Sequence, residues 1–116
     1  MLAKLTLDEM ILRFGTNPED VIATIGPCIC KSCYEVSEDL YNDFVCRFEK
    51  NENFLNVNGF YIDLAGVNKQ ILASAGVKKE NIIVSDICTC CNTDLLFSHR
   101  GQGPQRGIFG TFLQLV

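Results

Sequence analysis

Cysteines are the residues of this 116-residue chain that most invite chemistry, because it carries seven of them. Six fall in two short clusters, and each cluster follows an apolar run. They are Cys28, Cys30 and Cys33 in the first cluster, and Cys88, Cys90 and Cys91 in the second. Thiolates bind zinc and iron–sulfur clusters, and a thiolate of low pKa is a nucleophile. The first question is whether the two clusters meet.

A metal site would need four thiolates, and Cys30 and Cys33 together with Cys88 and Cys91 could supply them. With Cys90 counted in the second cluster, the spacing is not the usual paired C-x-x-C. Cysteine also often serves as a small apolar residue in a protein core. We therefore expect no metal held by this chain, and the four-cysteine site is the alternative.

A cysteine nucleophile finds less support in the sequence. It needs a neighbouring base, and the only histidine is His99. A lone histidine beside Arg100 is more often an exposed hydrogen-bonding group. Cys46 stands between Val45 and Arg47 in a helix-like segment, and we expect it to pack in the core.

Composition favours one ordinary globular domain, residues 1–116, with 47% hydrophobic and 21% charged residues. A net charge of −4 without a Lys/Arg cluster argues against nucleic acid as a partner. The apolar runs are too short to span a bilayer, and we expect no secretory leader. An odd number of cysteines favours free thiols in a reducing cytoplasm.

The elements that must position the clusters follow from apolar spacing and turn residues. Residues 3–14 predict a helix that ends at Gly15, and residues 21–25 predict a buried strand before the first cluster. Ser37 predicts the N-cap of a second helix, since two acidic residues follow it. The apolar face of that helix is predicted to be Leu40, Phe44, Val45 and Phe48.

Turn chemistry continues in the middle of the chain. Asn58 and Gly59 lie between two apolar runs and predict a β-hairpin. Asp63 then predicts the N-cap of a third helix over residues 64–75, which Gly76 closes.

The last third of the chain predicts two more strands, over residues 81–87 and 107–116, separated by a mobile loop at 101–105. Three helices and about five strands indicate an α+β layered domain. If the strands before the two cysteine clusters end on one side of a sheet, the clusters lie side by side.

Sequence blocks spread from about residue 4 to the end of the chain point to a known family. They are Phe14-Gly15-Thr16-Asn17-Pro18-Glu19-Asp20, Ile25-Gly26-Pro27, Cys33-Tyr34-Glu35-Val36, Tyr61-x-Asp63-Leu64 with Asn68, Gly76-Val77, and Cys88-Thr89-x-Cys91-Asn92 with Leu96-Phe97-Ser98-His99-Arg100. With them the chain resembles the C-terminal half of the laccase-domain family, also called polyphenol oxidase or YfiH-like. The resemblance implies an αββα sandwich of mixed β-sheets, of which this chain is an incomplete, C-terminal portion.

The resemblance also implies a function: a zinc-dependent purine nucleoside phosphorylase with adenosine deaminase activity, acting on a purine nucleoside and phosphate. The family's older label implies a copper-binding polyphenol oxidase, which a single histidine argues against. The family holds zinc through a His after Gln-Val, a Cys in Thr-Ala-Asp-Cys and a His in His-Ala-Gly-Trp-Arg-Gly, and this sequence contains none of these motifs. We therefore expect a chain that is inactive alone and forms a homo-oligomer; a non-catalytic, self-associating domain is the alternative.

Polar residues of the matching blocks are candidate site residues. Arg100 is a candidate for binding a phosphate or ribose oxygen, and a surface salt bridge is its alternative role. Asn92 could bind a purine edge or satisfy the loop backbone. Glu35 is the catalytic candidate, as a proton carrier, and capping the second helix is the alternative.

Aromatic residues complete the candidate set. Tyr34 and Phe97 could stack on a base, although aromatic residues beside strands are more often part of the core. Ser98, in the Ser-His-Arg block, is a further candidate for substrate binding. Gly101 and Ile108 stand where the resemblance would place arginines, so fewer cationic contacts to phosphate are expected.

The cytoplasmic interpretation predicts the state of the thiols. Titration of denatured, unreduced protein should find close to all seven cysteines reactive. A result of one reactive thiol, with three disulfides, would contradict this interpretation.

Overall fold

The computed structural model describes residues 2–114 and shows an α+β fold of helices and two small sheets. The helices are α1 (Leu2–Phe14), α2 (Glu38–Phe48), α3 (Leu64–Ser74) and α4 (His99–Gln102). The strands are β1 (Ala23–Ile25), β2 (Glu35–Val36), β3 (Phe54–Asn56), β4 (Phe60–Ile62) and β5 (Ile82–Val84). Among the described residues, no helix is long and apolar enough to cross a membrane.

The first sheet consists of β1 and β5, which pair in parallel with Ala23 opposite Ile82 and Ile25 opposite Val84. Helix α3 packs on both strands, and α1 packs on α3. The buried side chains of this layer are Leu7, Leu72, Val77 and Ile82. Because the pairing is parallel, both strands deliver the following residues to the same edge of the sheet.

The second sheet is antiparallel, with strand order β2-β4-β3, and α2 covers it. Its core is formed by Tyr41, Phe54, Ile62, Val67 and Ile71. The rings of Tyr41 and Phe54 meet edge to face at a centroid distance of 6.0 Å, a geometry that aromatic pairs prefer. Ile62 is fully buried, so β4 is the central strand in packing as well as in pairing.

Local signals predicted from sequence are confirmed where a side chain satisfies a backbone group. Ser37 Oγ accepts from Leu40 N at 3.3 Å and begins α2, and Asp63 Oδ1 accepts from Gly66 N at 2.9 Å and begins α3. The hairpin turn places Asn58 at φ 54° and Gly59 at φ 143°. Positive φ angles are more favourable for Asn and Gly than for other residues, and for this reason the Asn-Gly pair predicts a hairpin turn.

Two predictions for the C-terminal region were wrong. The proposed loop at 101–105 instead contains the end of α4 and a 3-10 turn, because Ser98 caps the helix and Gln102 Oε1 accepts from Ser98 N at 2.9 Å. Residues 107–114 form no strand, since none of the described strands pairs with them. The last two residues of that predicted strand lie outside the described part of the chain.

Helix α2 also differs in detail from its prediction. Tyr41 is its buried residue, whereas Leu40 is 37% exposed at the edge of the predicted face. Cys46 is exposed and does not pack in the core. It lies five residues after Tyr41, which is about 140° around the helix, so it points away from the sheet that α2 covers.

Candidate thiol cluster and adjoining cleft

The two cysteine loops meet, as predicted from the strands that precede them. The parallel pairing of β1 and β5 continues beyond the strands as a bridge between Cys28 and Cys88. There the Thr89 amide donates to the carbonyl oxygen of Cys28 at 3.1 Å. The strand edge therefore sets the relative position of the two loops.

Four thiols converge where the loops meet. The Sγ atoms of Cys30, Cys33, Cys88 and Cys91 all lie within 4.8 Å of one another, and those of Cys33 and Cys91 are 3.4 Å apart. These are the four cysteines that the sequence analysis named as the alternative metal site, with Cys88 and Cys91 as the second pair. Both pairs then have C-x-x-C spacing. The statement that the spacing differs from a paired C-x-x-C site was therefore wrong.

Backbone amides set the electrostatics of the cluster around Cys88. Burial of the Cys88 thiol raises its pKa, but hydrogen bonds to its sulfur from the amides of Cys30 at 3.2 Å and Cys91 at 3.4 Å stabilise the thiolate. The net effect lowers the pKa of Cys88 to about 6. The hydrogen bond with Cys91 raises the pKa of Cys33, and burial raises the pKa of Cys28. The backbone therefore favours one thiolate, at Cys88, within the cluster.

A cleft of about 400 Å³ lies beside the thiol cluster. Aromatic rings, hydroxyl groups and one guanidinium group share its lining. The polar and aromatic residues of the lining are Tyr34, Thr89, Phe97, Ser98, His99, Arg100 and Phe109, and Cys28 adjoins them. Such a mixture of flat apolar surface and a few polar groups is typical of small-molecule sites.

Arg100 joins the two sides of this cleft. Its Nη1 donates to the carbonyl oxygen of Glu35 at 2.8 Å, and its guanidinium lies 5.5 Å from the centre of the Tyr34 ring. Ser98 positions the arginine, since it begins α4 and its Oγ accepts from Gly101 N at 3.2 Å. Tyr34, Ser98 and Arg100, three of the predicted substrate-binding residues, therefore come together.

The other two candidate residues lie elsewhere. The Asn92 side-chain amide donates to the carbonyl oxygen of Cys88 at 2.8 Å, which is the backbone role considered as its alternative. The Glu35 carboxylate lies next to the hairpin turn, where a Cβ atom on Gly59 would be 2.7 Å from Glu35 Oε1. Neither residue is part of the cleft lining.

Sequence reasoning did not single out two residues of the cleft, Thr89 and Phe109. Thr89 is buried and follows the Cys28–Cys88 bridge, so its position depends on strand pairing that no local motif reveals. Phe109 belongs to the segment predicted as a strand, and it lines the cleft because that segment passes close to the Phe97 ring. The approach is tight, since a Cβ atom on Gly107 would lie 2.5 Å from this ring.

Comparison with known proteins identifies the family. Residues 1–116 match the family described as multi-copper polyphenol oxidoreductase laccase. The chain belongs to this family. This match confirms the laccase-domain resemblance, and the structure itself confirms the α+β fold.

Relatives and solved structures support the same assignment. The chain is 32% identical over 110 residues to adenosine deaminase RL5 of an unknown prokaryotic organism, covering 91% of this chain and 42% of that protein. It is 31% identical over 102 residues to purine nucleoside phosphorylase YlmD of Bacillus subtilis, covering 85% and 37% respectively. The crystal structure of Bacillus licheniformis hypothetical protein YfiH matches with a TM-score of 0.78 and 37% identity, over 88% of this chain and 40% of that one. The chain thus spans about two fifths of the length of these proteins.

The residues of this laccase-domain chain do not fit a catalytic zinc site of the kind that the family implies. Such a site needs three protein ligands, histidine among them, and one open position. The sole histidine, His99, lines the cleft, but among the described residues it belongs to no group of three or more possible metal ligands. We therefore assign no catalytic step to a metal held by this chain.

The geometry of Arg100 predicts a measurable contribution to stability. Arg100→Ala removes a charged hydrogen bond and a cation–π contact, and should lower the free energy of unfolding by about 1–2 kcal/mol. Urea unfolding measures this change. The matched control is Arg47→Ala, whose exposed pair with Asp43 is worth about 0.5 kcal/mol or less. Equal losses for both variants would contradict a bridging role for Arg100.

Proposed function

We propose that this chain forms the substrate-facing part of a zinc-dependent purine nucleoside phosphorylase with adenosine deaminase activity, and that the chain is inactive alone. The proposal rests on the names of its relatives, which include adenosine deaminase and purine nucleoside phosphorylase. The observation that carries it is the guanidinium of Arg100 held over the Tyr34 ring at the wall of the cleft.

The lining of the cleft suits a purine nucleoside. A purine is flat and aromatic, and the exposed rings of Phe97 and Phe109 offer surfaces for stacking or edge contacts, whereas the Tyr34 ring packs against the core and the Arg100 guanidinium. A guanidinium group has five N–H donors, and one Nη1 of Arg100 donates to Glu35 O. The remaining donors of Arg100 are suited to a phosphate or a ribose oxygen.

The chemistry itself requires groups that this chain does not supply. Phosphorolysis needs phosphate to attack the anomeric carbon, and deamination needs an activated water to attack the base. With Gly101 and Ile108 in place of arginines, Arg100 is the one arginine or lysine among the residues that line the cleft, and His99 lies beside it. In the proposed assignment, the chain binds and orients the nucleoside, and ligands from outside this sequence hold the catalytic zinc. Because all seven cysteines are outside disulfides, we assign the chain to the cytoplasm.

A chimeric protein tests this proposal. The part of Bacillus subtilis YlmD that this chain does not match would be joined to the chain, loaded with zinc, and assayed with inosine plus phosphate and with adenosine. The chimera should turn over these substrates, whereas the 116-residue chain alone should not. Arg100→Lys in the chimera should lower kcat/KM for phosphate by about tenfold or more, because lysine lacks the bidentate fork.

The control for this assay is Arg47→Lys, on the exposed side of α2, which should leave kcat/KM unchanged. A folded, zinc-loaded chimera without turnover would refute the proposal. Turnover by the chain alone that His99→Ala abolishes would instead show that the chain builds a catalytic site of its own.

A second candidate function, self-association, is favoured by the surface of the chain. The accessible surface is 8260 Å², whereas a compact monomer of 12.9 kDa exposes about 6300 Å². The radius of gyration of 15.7 Å likewise exceeds the roughly 13.4 Å expected for this length. Large apolar side chains contribute to the excess, including Leu12 and Phe14, each 79% exposed. A second copy of this chain could cover them.

Sedimentation velocity over a range of concentrations measures this association. We expect a dimer or larger species, and we expect the double change Leu12→Glu and Phe14→Glu to shift the distribution towards monomer. Asn42→Glu on exposed α2 adds a charge away from these side chains and should have no effect. A monomer at every concentration would exclude self-association of the chain.

A further inference from the structure

The four converging thiols have the dimensions of a mononuclear metal site. In a tetrahedral site with Zn–S bonds of about 2.3 Å, neighbouring sulfurs are roughly 3.8 Å apart. In the structure every pair among Cys30, Cys33, Cys88 and Cys91 is within 4.8 Å, and the Cys33–Cys91 pair is at 3.4 Å. The observed separations therefore bracket the spacing that a tetrahedral zinc site requires.

We propose that these four cysteines hold one structural zinc ion. The ion would join the two C-x-x-C segments at the edge of the parallel sheet. Four thiolates fill the tetrahedral coordination sphere and leave no position for water or substrate, so the site is distinct from a catalytic zinc centre. It requires no residue from outside this chain.

The backbone around the cluster has the features of a prepared ligand shell. The Cys30–Cys33 segment is a 3-10 turn in which Cys33 N donates to Cys30 O at 3.1 Å. The Cys88 sulfur accepts a hydrogen bond from an amide of each segment, Cys30 N at 3.2 Å and Cys91 N at 3.4 Å. Hydrogen bonds to ligand atoms orient them and offset the negative charge of a tetrathiolate site.

Core packing does not explain this arrangement. Cysteines that act as small apolar residues are buried, yet Cys91 is exposed and Cys30 and Cys33 are only half-buried. A single disulfide between Cys33 and Cys91 would account for two of the sulfurs and would leave those of Cys30 and Cys88 unexplained. A shared ligand for all four sulfurs accounts for the convergence.

The zinc ion would stabilise the cleft as well as the loops. Tyr34 directly follows Cys33, and Thr89 directly follows Cys88, and both residues line the cleft. Zinc binding links two segments that are more than 50 residues apart in sequence. The link restricts the separation of the two loops and so lowers the conformational entropy of states in which they come apart. The cleft walls are then fixed to one edge of the sheet.

Metal analysis of the full 116-residue chain tests the proposal without any activity assay. Protein purified from zinc-supplemented cells should contain about one zinc per chain. Exchange with Co²⁺ should give the thiolate-to-cobalt charge-transfer and intense d–d absorption bands of a tetrahedral four-thiolate site. Cys33→Ser and Cys91→Ser should each weaken zinc binding by more than the roughly 10- to 100-fold that loss of an outer hydrogen bond costs.

Two matched controls lie outside the cluster. Cys90→Ser, in the same loop, and Cys46→Ser, on exposed α2, should keep full zinc content and the same cobalt spectrum.

If a ligand variant fails to fold, the cobalt spectra of the unaltered chain and of Cys90→Ser still decide the question. The proposal is overturned if the unaltered chain binds no zinc, if it takes up iron in preference to zinc, or if Cys33 and Cys91 form a disulfide when zinc is present. It is also overturned if a folded Cys33→Ser or Cys91→Ser variant keeps its zinc. Since no substrate is involved, these outcomes are independent of the proposed nucleoside chemistry.

Discussion

Parallel pairing of β1 with β5 is the constraint on which the rest of the site depends. Only three residue pairs form the ladder, but the bridge from Cys28 to Cys88 extends it past the ends of the strands. Because parallel strands end at one edge, two loops that are far apart in sequence are held side by side. The thiol cluster and one wall of the cleft both follow from this pairing. A change that shifted the register of β1 against β5 would disperse the cluster and open the cleft together.

Arg100 provides the second link, since it connects the C-terminal segment to the antiparallel sheet. It lies on α4, yet its partners, Glu35 O and the Tyr34 ring, belong to the segment that forms β2. The cleft is therefore bounded by groups from both sheets. Packing of the antiparallel layer around Ile62 and the parallel pairing of β1 with β5 must both be in place before the lining residues converge.

Local sequence signals predicted the parts of the fold that depend on single turns. Ser37 and Asp63 cap helices and Asn58-Gly59 makes a hairpin because each acts on a backbone group within three residues. The sequence named Cys30, Cys33, Cys88 and Cys91 only as an alternative, because their convergence depends on where two loops turn after a long-range strand pairing. For the same reason the segment 107–114 looked like a strand: its apolar residues suit one, but strand formation also requires a pairing partner.

The chemistry available to the chain is divided between two kinds of group. Its sulfurs are numerous and four of them converge, so it can complete a closed metal site without help. Among the described residues, its single histidine belongs to no group of three possible metal ligands, so these residues offer no comparable set with an open position. A closed site stabilises loops, whereas an open one activates water or substrate. The four converging sulfurs could therefore fix the loops beside the cleft, whereas the exposed apolar side chains, such as Leu12 and Phe14, lie outside the cleft lining and belong to the proposed self-association.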